Sequence, residues 1–181
     1  MATSAFHFPA FHAFPPSYTR QPVRATREKQ VSLWCDLMLA FCKHRGDFWV
    51  DMAEITQSEL FVNAAINRRM KGEDVVFLFD ELVNRGDAQW DVQGAGKTRC
   101  LVFWRSPAEW GDLVYTYIDR TGQNNSVMTL YELRCSDMTK GEPFHNLDLD
   151  LMLLALQSLE LANKAAIFEG AKSDQLGVKF L

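Results

Sequence analysis

The stretch from Trp104 to Leu133 constrains the fold of this chain most, because it closes one folded unit and opens a second. Within it, Ser106 is followed by Pro107 and Glu109. This is a capping box: the hydroxyl caps a helix, the proline fills its first position and the carboxylate returns to the cap amide. A helix over 107–120 is therefore predicted to begin directly after a strand, with no flexible linker between the two units.

The segments on either side of this junction repeat one order of elements at a spacing of about eighty residues. Apolar periodicity and turn signals predict helix, strand, helix, helix and hairpin in the first copy, at Thr26–His44, Phe48–Met52, Ser58–Arg69, Gly72–Arg85, and Ala88–Val92 with Arg99–Trp104. The second copy is predicted at Pro107–Arg120, Val127–Met128, Thr129–Arg134, Asp148–Asn163, and Ala165–Glu169 with Val178–Leu181.

Three helices followed by a hairpin are the winged form of the helix-turn-helix. The predicted fold class is therefore α+β, mainly α, with two tandem winged-helix domains and an extended N-terminal segment. The expected divisions are residues 1–25 for the segment, 26–105 for the first domain and 106–181 for the second.

The N-terminal segment is rich in Phe and Pro, which excludes a regular helix and makes it too apolar for a solvated tail. Pro15-Pro16-Ser17-Tyr18 presents a stiff proline face and one aromatic ring. We expect an extended strip that docks on a partner. Two alternatives stay open: the strip packs against its own domain, or it is a ligand for a WW domain.

The charge pattern argues against nucleic acid as a partner. The net charge is −4, and the predicted helix Gly72–Arg85 carries four carboxylates and one arginine, a net charge of −3. The matching helix Asp148–Asn163 carries three carboxylates and no Lys or Arg, also −3. A helix that reads the major groove needs cations and amides instead. A transcription-associated or other nucleic-acid-binding winged helix is the alternative function.

Several features resemble catalytic or metal sites without the required context. Gly94-Ala95-Gly96-Lys97-Thr98 ends like a phosphate-binding loop, but its first glycine would fall at Asp91 and a strand is predicted to follow. The four histidines and four cysteines show no metal spacing. Free, buried thiols in a reducing compartment are expected. We therefore predict no enzyme, no cofactor and no metal.

Several motifs, in order along nearly the whole chain, resemble the vacuolar protein sorting-associated protein 25 family, the tandem winged-helix subunits of the endosomal sorting complex ESCRT-II. The most specific are Gly122-Gln123-Asn124-Asn125-Ser126-Val127 and Thr129-Leu130-Tyr131-Glu132-Leu133. The others are Phe14-Pro15-Pro16 with Tyr18, Leu33-Trp34-Cys35, Phe41-Cys42, Trp104 with Glu109-Trp110-Gly111, Phe144-His145 and Gly177-Val178-Lys179-Phe180.

The resemblance implies a non-enzymatic scaffold that is cytoplasmic and peripheral on the endosomal membrane. In that family the subunit docks on two ESCRT-II core subunits and sorts ubiquitinated cargo into multivesicular bodies. The implied core-binding residues here are Phe14, Pro15, Pro16 and Tyr18, assisted by the first winged helix. Membrane association would be indirect, through the complex, with no direct contact to nucleic acid.

The family's second winged helix binds the N-terminal helix of an ESCRT-III subunit and nucleates its assembly. The residues place that surface at Val127, Met128 and Thr129, beside the exposed side of the helix Asp148–Asn163. This helix is apolar nearly all round, which is more than one buried stripe requires. The alternative is that its own domain buries it on several sides.

Overall fold

The computed structural model describes residues 5–92, 94, 96–169 and 176–181. The chain divides into two compact units, residues 1–104 and 105–181. The first unit contains α1 (Arg24–Arg45), β1 (Trp49–Asp51), α2 (Met52–Ile55), β2 (Val62–Asn63), β3 (Arg68–Arg69), α3 (Gly72–Arg85), β4 (Ala88–Trp90) and β5 (Arg99–Val102). The second contains α4 (Pro107–Arg120), β6 (Val127–Thr129), α5 (Leu130–Cys135), α6 (Leu149–Leu161), β7 (Ala165–Glu169) and β8 (Leu176–Phe180).

The two units share one sheet topology. In each, the strand after the first helix pairs with the last strand of the hairpin, giving the antiparallel orders β1-β5-β4 and β6-β8-β7. Each sheet is accompanied by three helices. The internal repeat predicted from the sequence is thus visible as a repeated helix, strand, helix, helix, hairpin order. Residues 93 and 95 of the first predicted hairpin, and residues 170–175 of the second, lie outside the described residues.

One predicted helix is wrong. Residues 58–69 form no α-helix; Val62–Asn63 and Arg68–Arg69 pair as a small hairpin around a 3-10 turn. The Asn63 side chain accepts a hydrogen bond from the Ala65 amide, and Asn67 has a left-handed φ of 50°. Asparagine favours both conformations, so two asparagines four residues apart override the apolar spacing. The short α2, capped by Asp51, occurs earlier than the predicted helix.

Both predicted capping boxes are confirmed. Ser106 accepts a hydrogen bond from the Glu109 amide while the Glu109 carboxylate accepts from the Ser106 amide, and Thr129 and Glu132 do the same at α5. Hydrogen bonds from the cap amides lower the pKa of both glutamates. These two sites define where α4 and α5 begin, and the second orients the residues next to β6.

Each unit has an aromatic or aliphatic core. In the first, Trp34 of α1 is fully buried and its ring stacks on Phe61 at 5.6 Å. In the second, α4 and α6 pack closely at Gly111, where an added Cβ would lie 2.8 Å from the Ala155 carbonyl oxygen and 2.7 Å from Ser158 Oγ. A side chain at position 111 would therefore force the helices apart.

Candidate protein-docking sites

The N-terminal strip, defined here as residues 5–23, lies against the first unit. It contains two 3-10 turns, Ala10–Ala13 and Pro15–Tyr18, and neither an α-helix nor a β-strand. Its aromatic rings pack on α1: Phe6 meets Phe41 edge-on at 5.2 Å, and Phe11 meets Trp34 at 5.4 Å. The strip is consequently part of the fold of this unit, as the first of the two alternatives required.

Tyr18 is buried, with 3% of its surface exposed. Its hydroxyl donates to the His12 carbonyl oxygen at 2.9 Å, and its ring meets Trp34 at 5.4 Å. Both docking on a partner and recognition by a WW domain would require a free tyrosine, but burial beside this tryptophan stabilises the ring inside the unit instead. A tyrosine buried in this position is not accessible for binding by a WW domain.

The three residues Phe14, Pro15 and Pro16, which precede Tyr18, face outward. Phe14 is 58% exposed, Pro15 is half-buried and Pro16 is exposed. A large exposed aromatic on a strip that is held on both sides is typical of a residue that contacts a partner. The four predicted core-binding residues therefore separate into an outward set of three and one internal anchor, Tyr18.

Hydrogen bonds fix the chain after the strip's second turn. Gln30 of α1 donates from Nε2 to the carbonyls of Ser17 and Thr19, both at 2.9 Å, and accepts from the Gln21 amide. Arg20 pairs with Asp74 at 2.8 Å and stacks over Phe77. These contacts were not predicted, because neither a single Gln in a helix nor a single Arg in the strip has a sequence pattern that identifies its partner.

The second predicted site, Val127, Met128 and Thr129, forms β6 at one edge of the second sheet. Val127 is 59% exposed, whereas Met128 is buried and pairs with Val178. Thr129 is committed to its capping box. Successive residues of a strand point to opposite faces, which places Met128 on the buried face and Val127 on the exposed face, so Val127 is the residue that can present its side chain to a partner.

An open groove lies beside β6, between α5 and α6. It is lined by Tyr131, Leu149 and Leu153, with Thr129 and Arg134 on its rim. Tyr131 is 72% exposed and Leu149 is 45% exposed. Tyr131 was quoted as part of a motif but not singled out as a site residue; its exposure depends on how α5 is turned, which the spacing alone does not show.

Most apolar residues of α6 are buried or half-buried by its own unit, as the alternative interpretation held. Five of its residues are buried: Leu151, Met152, Ala155, Leu156 and Leu159. Its acidic residues also have internal roles: Asp148 caps the helix by accepting from the amides of Asp150 and Leu151, and Glu160 accepts from the Ile167 amide at 3.0 Å. The exposed residues of this helix are Leu149 and Asp150 at its start, Gln157, and Glu160 and Leu161 at its end.

The acidic residues of α3 likewise engage neighbours. Asp74 pairs with Arg20, and Asp80 accepts from Trp90 Nε1 at 2.9 Å and from Lys97. The helix therefore offers no row of cations for a phosphate backbone. The segment after Lys97 continues as the strand β5, as predicted, which is not the helix that a phosphate-binding loop requires.

The cysteines have the inert character expected of structural thiols. Cys35, Cys42 and Cys100 are free and buried, and Cys135 is free and half-buried. Burial raises the pKa of Cys35 to about 11 and those of Cys42 and Cys100 to about 12. Among the described residues, no group of three or more His, Cys, Asp or Glu side chains could hold a metal ion.

Two units of one winged-helix topology, each with three helices and a three-stranded sheet, make this chain a tandem winged-helix protein. Residues 11–148 match the ESCRT-II complex subunit family. The chain is 40% identical to Vacuolar protein-sorting-associated protein 25 of Danio rerio, over 97% of this chain and 99% of that protein. The Homo sapiens protein is also 40% identical, over 97% and 98% of the two chains.

Solved structures agree with this relationship. The chain is similar to the crystal structure of subunit VPS25 of the endosomal trafficking complex ESCRT-II, with a TM-score of 0.79, 28% identity and coverage of 94% of this chain and 97% of that one. A chain in the structure of the VPS22/VPS25/VPS36 complex matches with a TM-score of 0.77 and 28% identity, over 96% and 98% of the two chains.

This chain belongs to the ESCRT-II complex subunit family. The family resemblance and the tandem winged-helix fold predicted from the sequence are thereby confirmed. Within the described residues, no helix has the length and apolarity needed to cross a membrane.

Proposed function

We propose that this chain is a non-enzymatic scaffold of ESCRT-II that docks on the two core subunits through its N-terminal strip and first winged helix. The observation that carries this proposal is the outward Phe14, 58% exposed on a strip whose other described aromatic side chains, apart from exposed His7, are buried or partly buried. A related chain was solved in a complex with VPS22 and VPS36, which supports core subunits of that kind as the partners. Segment 1–25 and the winged helices 26–105 and 106–181 are its three functional parts.

The exposure of the strip residues supports a contact face of three residues. Phe14, Pro15 and Pro16 form the contact face, while Tyr18 holds that face in place from below. A partner that accepts a phenyl ring and a proline face needs an apolar pocket rather than a charged one. Pre-organisation of the strip also lowers the ordering cost of binding.

The test is the affinity of the chain for a purified core of the two other subunits. Phe14→Asp should weaken binding at least about thirtyfold, since a central aromatic anchor commonly contributes about 2 kcal/mol or more. Val23→Asp is the matched control, because Val23 is 62% exposed at the end of the same strip. Equal affinities for the two variants would contradict the proposed contact face.

We further propose that the second winged helix recruits an ESCRT-III subunit by binding its N-terminal helix, in multivesicular body sorting of ubiquitinated cargo. The surface is the groove beside Val127, Met128 and Thr129, where Val127, Tyr131 and Leu149 are exposed. Asp148 and Asp150 at the start of α6 favour a basic amphipathic helix as the ligand. The protein would reach the endosomal membrane from the cytoplasm through the complex.

Binding of an ESCRT-III N-terminal segment to the intact chain tests this surface. Tyr131→Ala and Val127→Asp should each weaken it about tenfold or more, because Tyr131 lines the groove and Val127 is exposed on the strand beside it. Leu161→Asp serves as the control, since Leu161 is 87% exposed on the same unit. Undiminished binding by both groove variants would move the surface elsewhere without affecting core attachment.

A further inference from the structure

His12 lies on the inner side of the strip and is 5% exposed. Its Nε2 is 3.0 Å from the Leu60 carbonyl oxygen and 3.1 Å from that of Glu59. Carbonyl oxygens only accept hydrogen bonds, so Nε2 must carry a proton. This nitrogen therefore joins the strip to the loop that precedes β2.

The other ring nitrogen faces a donor. Asn63 Nδ2 lies 3.3 Å from His12 Nδ1 and also donates to the His12 carbonyl oxygen at 3.0 Å. The Asn63 amide orientation is fixed, because its Oδ1 accepts from the Ala65 amide at 3.1 Å. Nδ1 thus accepts a hydrogen bond, which assigns a neutral imidazole with its proton on Nε2.

We propose that the neutral imidazole of His12 is the positioning group that seats the N-terminal strip, and that protonation of His12 releases the strip from the first unit. A proton on Nδ1 would point at the amide donor of Asn63 and break the bond between them. It would also place a charge among the rings of Phe8, stacked at 4.1 Å, Tyr18 and Trp34.

The direction of the pH effect follows from the surroundings of the ring. Burial lowers the pKa of His12 below 6.5, and the carbonyls of Leu60 and Glu59 and the Glu59 charge oppose this only in part. The seat is fully stabilised above about pH 6.5 and loses stability as the pH falls from there to the lowered pKa. Burial raises the pKa of Tyr18, which stays protonated throughout this range.

Release of the strip would directly change the conformation of the contact face around Phe14. The His12 carbonyl accepts from the Tyr18 hydroxyl at 2.9 Å, so one residue joins both 3-10 turns that flank Phe14. Loss of the His12 seat would free the backbone on either side of this ring. The expected weakening of core binding rests on the proposed function, whereas release of the strip does not.

The test uses the full chain alone, with ring ¹⁵N spectra and amide protection of Phe14 and Ser17 between pH 7.5 and pH 5. The His12 ring should titrate below the ordinary histidine pKa of about 6.5, and protection should fall about tenfold per pH unit within the window. His12→Gln keeps an amide donor for the carbonyls but does not titrate, so its strip should remain protected at pH 5. His44→Gln is the control, because His44 also contacts the strip through Phe6 at 5.3 Å.

Titration of His12 at or above pH 6.5, full protection of the wild-type strip at pH 5, or an unchanged pH dependence in His12→Gln would each overturn the proposal. Core affinity at pH 7.5 and 5.5 is measured in parallel and should weaken in the wild type more than in His12→Gln. A chain that binds no core at either pH would contradict the proposed docking, while the spectra of the isolated chain would still decide the role of His12.

Discussion

The two units share one topology, yet they place their candidate binding residues in different ways. The first unit adds an N-terminal strip and the β2–β3 hairpin to the repeat, and its candidate face, Phe14 to Pro16, is part of that addition. The second unit has its candidate face on the repeat itself, at β6 and α5. An added segment must pack against its domain before it can present a side chain to a partner. A strand of the sheet is already held in place by backbone hydrogen bonds to the neighbouring strand. One fold can therefore offer a binding surface that requires an added segment to be ordered first, and another that its own sheet already holds in place.

The largest expected effect on stability is that of a substitution in β6, which tests whether Met128 packs in the core or contacts a partner. Met128→Asp should destabilise the second unit by about 4 kcal/mol or more, because it buries an unpaired carboxylate opposite Val178. Hydrogen exchange resolved by unit should show loss of protection in residues 105–181 only. Native protection throughout that unit would mean that Met128 belongs to the surface after all.

The next effect probes the helix contact that supports the second unit. Gly111→Ala should cost about 1–3 kcal/mol, since the added methyl would lie under 3 Å from the Ala155 carbonyl. Gly72→Ala in α3 is the control, because an added Cβ there meets nothing within 4 Å. Exchange protection of α4 and α6 measures the difference, and equal effects of the two changes would show that the helices can separate without strain.

A smaller effect tests how the strip is anchored. Tyr18→Phe removes one hydrogen bond but leaves the His12 carbonyl paired with Asn63, so the cost should be about 1 kcal/mol or less. Tyr18→Ala should cost about 3 kcal/mol or more, because it leaves a cavity beside Trp34. Denaturant unfolding of the two variants checks this ratio. Similar losses for both would show that the hydroxyl, rather than the ring, holds the strip.

The smallest effects on stability are expected at the two contact faces. Phe14→Asp and Val127→Asp should each change the free energy of unfolding by about 0.5 kcal/mol or less, since both side chains are mainly exposed. Each should impair binding to its own partner and spare the other. A variant that lost both partners, or that melted markedly earlier, would contradict the independence of the two faces.

Local chemistry accounts for what could be predicted at the level of the fold. The two capping boxes provide hydrogen-bond partners for free backbone amides at helix starts, in Ser106 with Glu109 and in Thr129 with Glu132. The paired residues are three positions apart, so the sequence is sufficient to predict these caps. The same holds for the left-handed Gly46 and Gly86 that end α1 and α3. The false helix at 58–69 arose where apolar spacing and asparagine turn preferences disagreed, and the turn preferences decided the structure.

Local sequence patterns were sufficient to predict the tandem repeat, the helix ends that carry capping signals, and the family through its motifs. Tertiary structure alone decided which side chains of each candidate site face outward: Phe14 but not Tyr18, Val127 but not Met128. The same is true of the His12 contacts, which join residues more than forty-five positions apart. The physical reason is that burial depends on what the rest of the chain brings to a residue. The spacing of residues in the sequence predicts only contacts between residues a few positions apart along the chain.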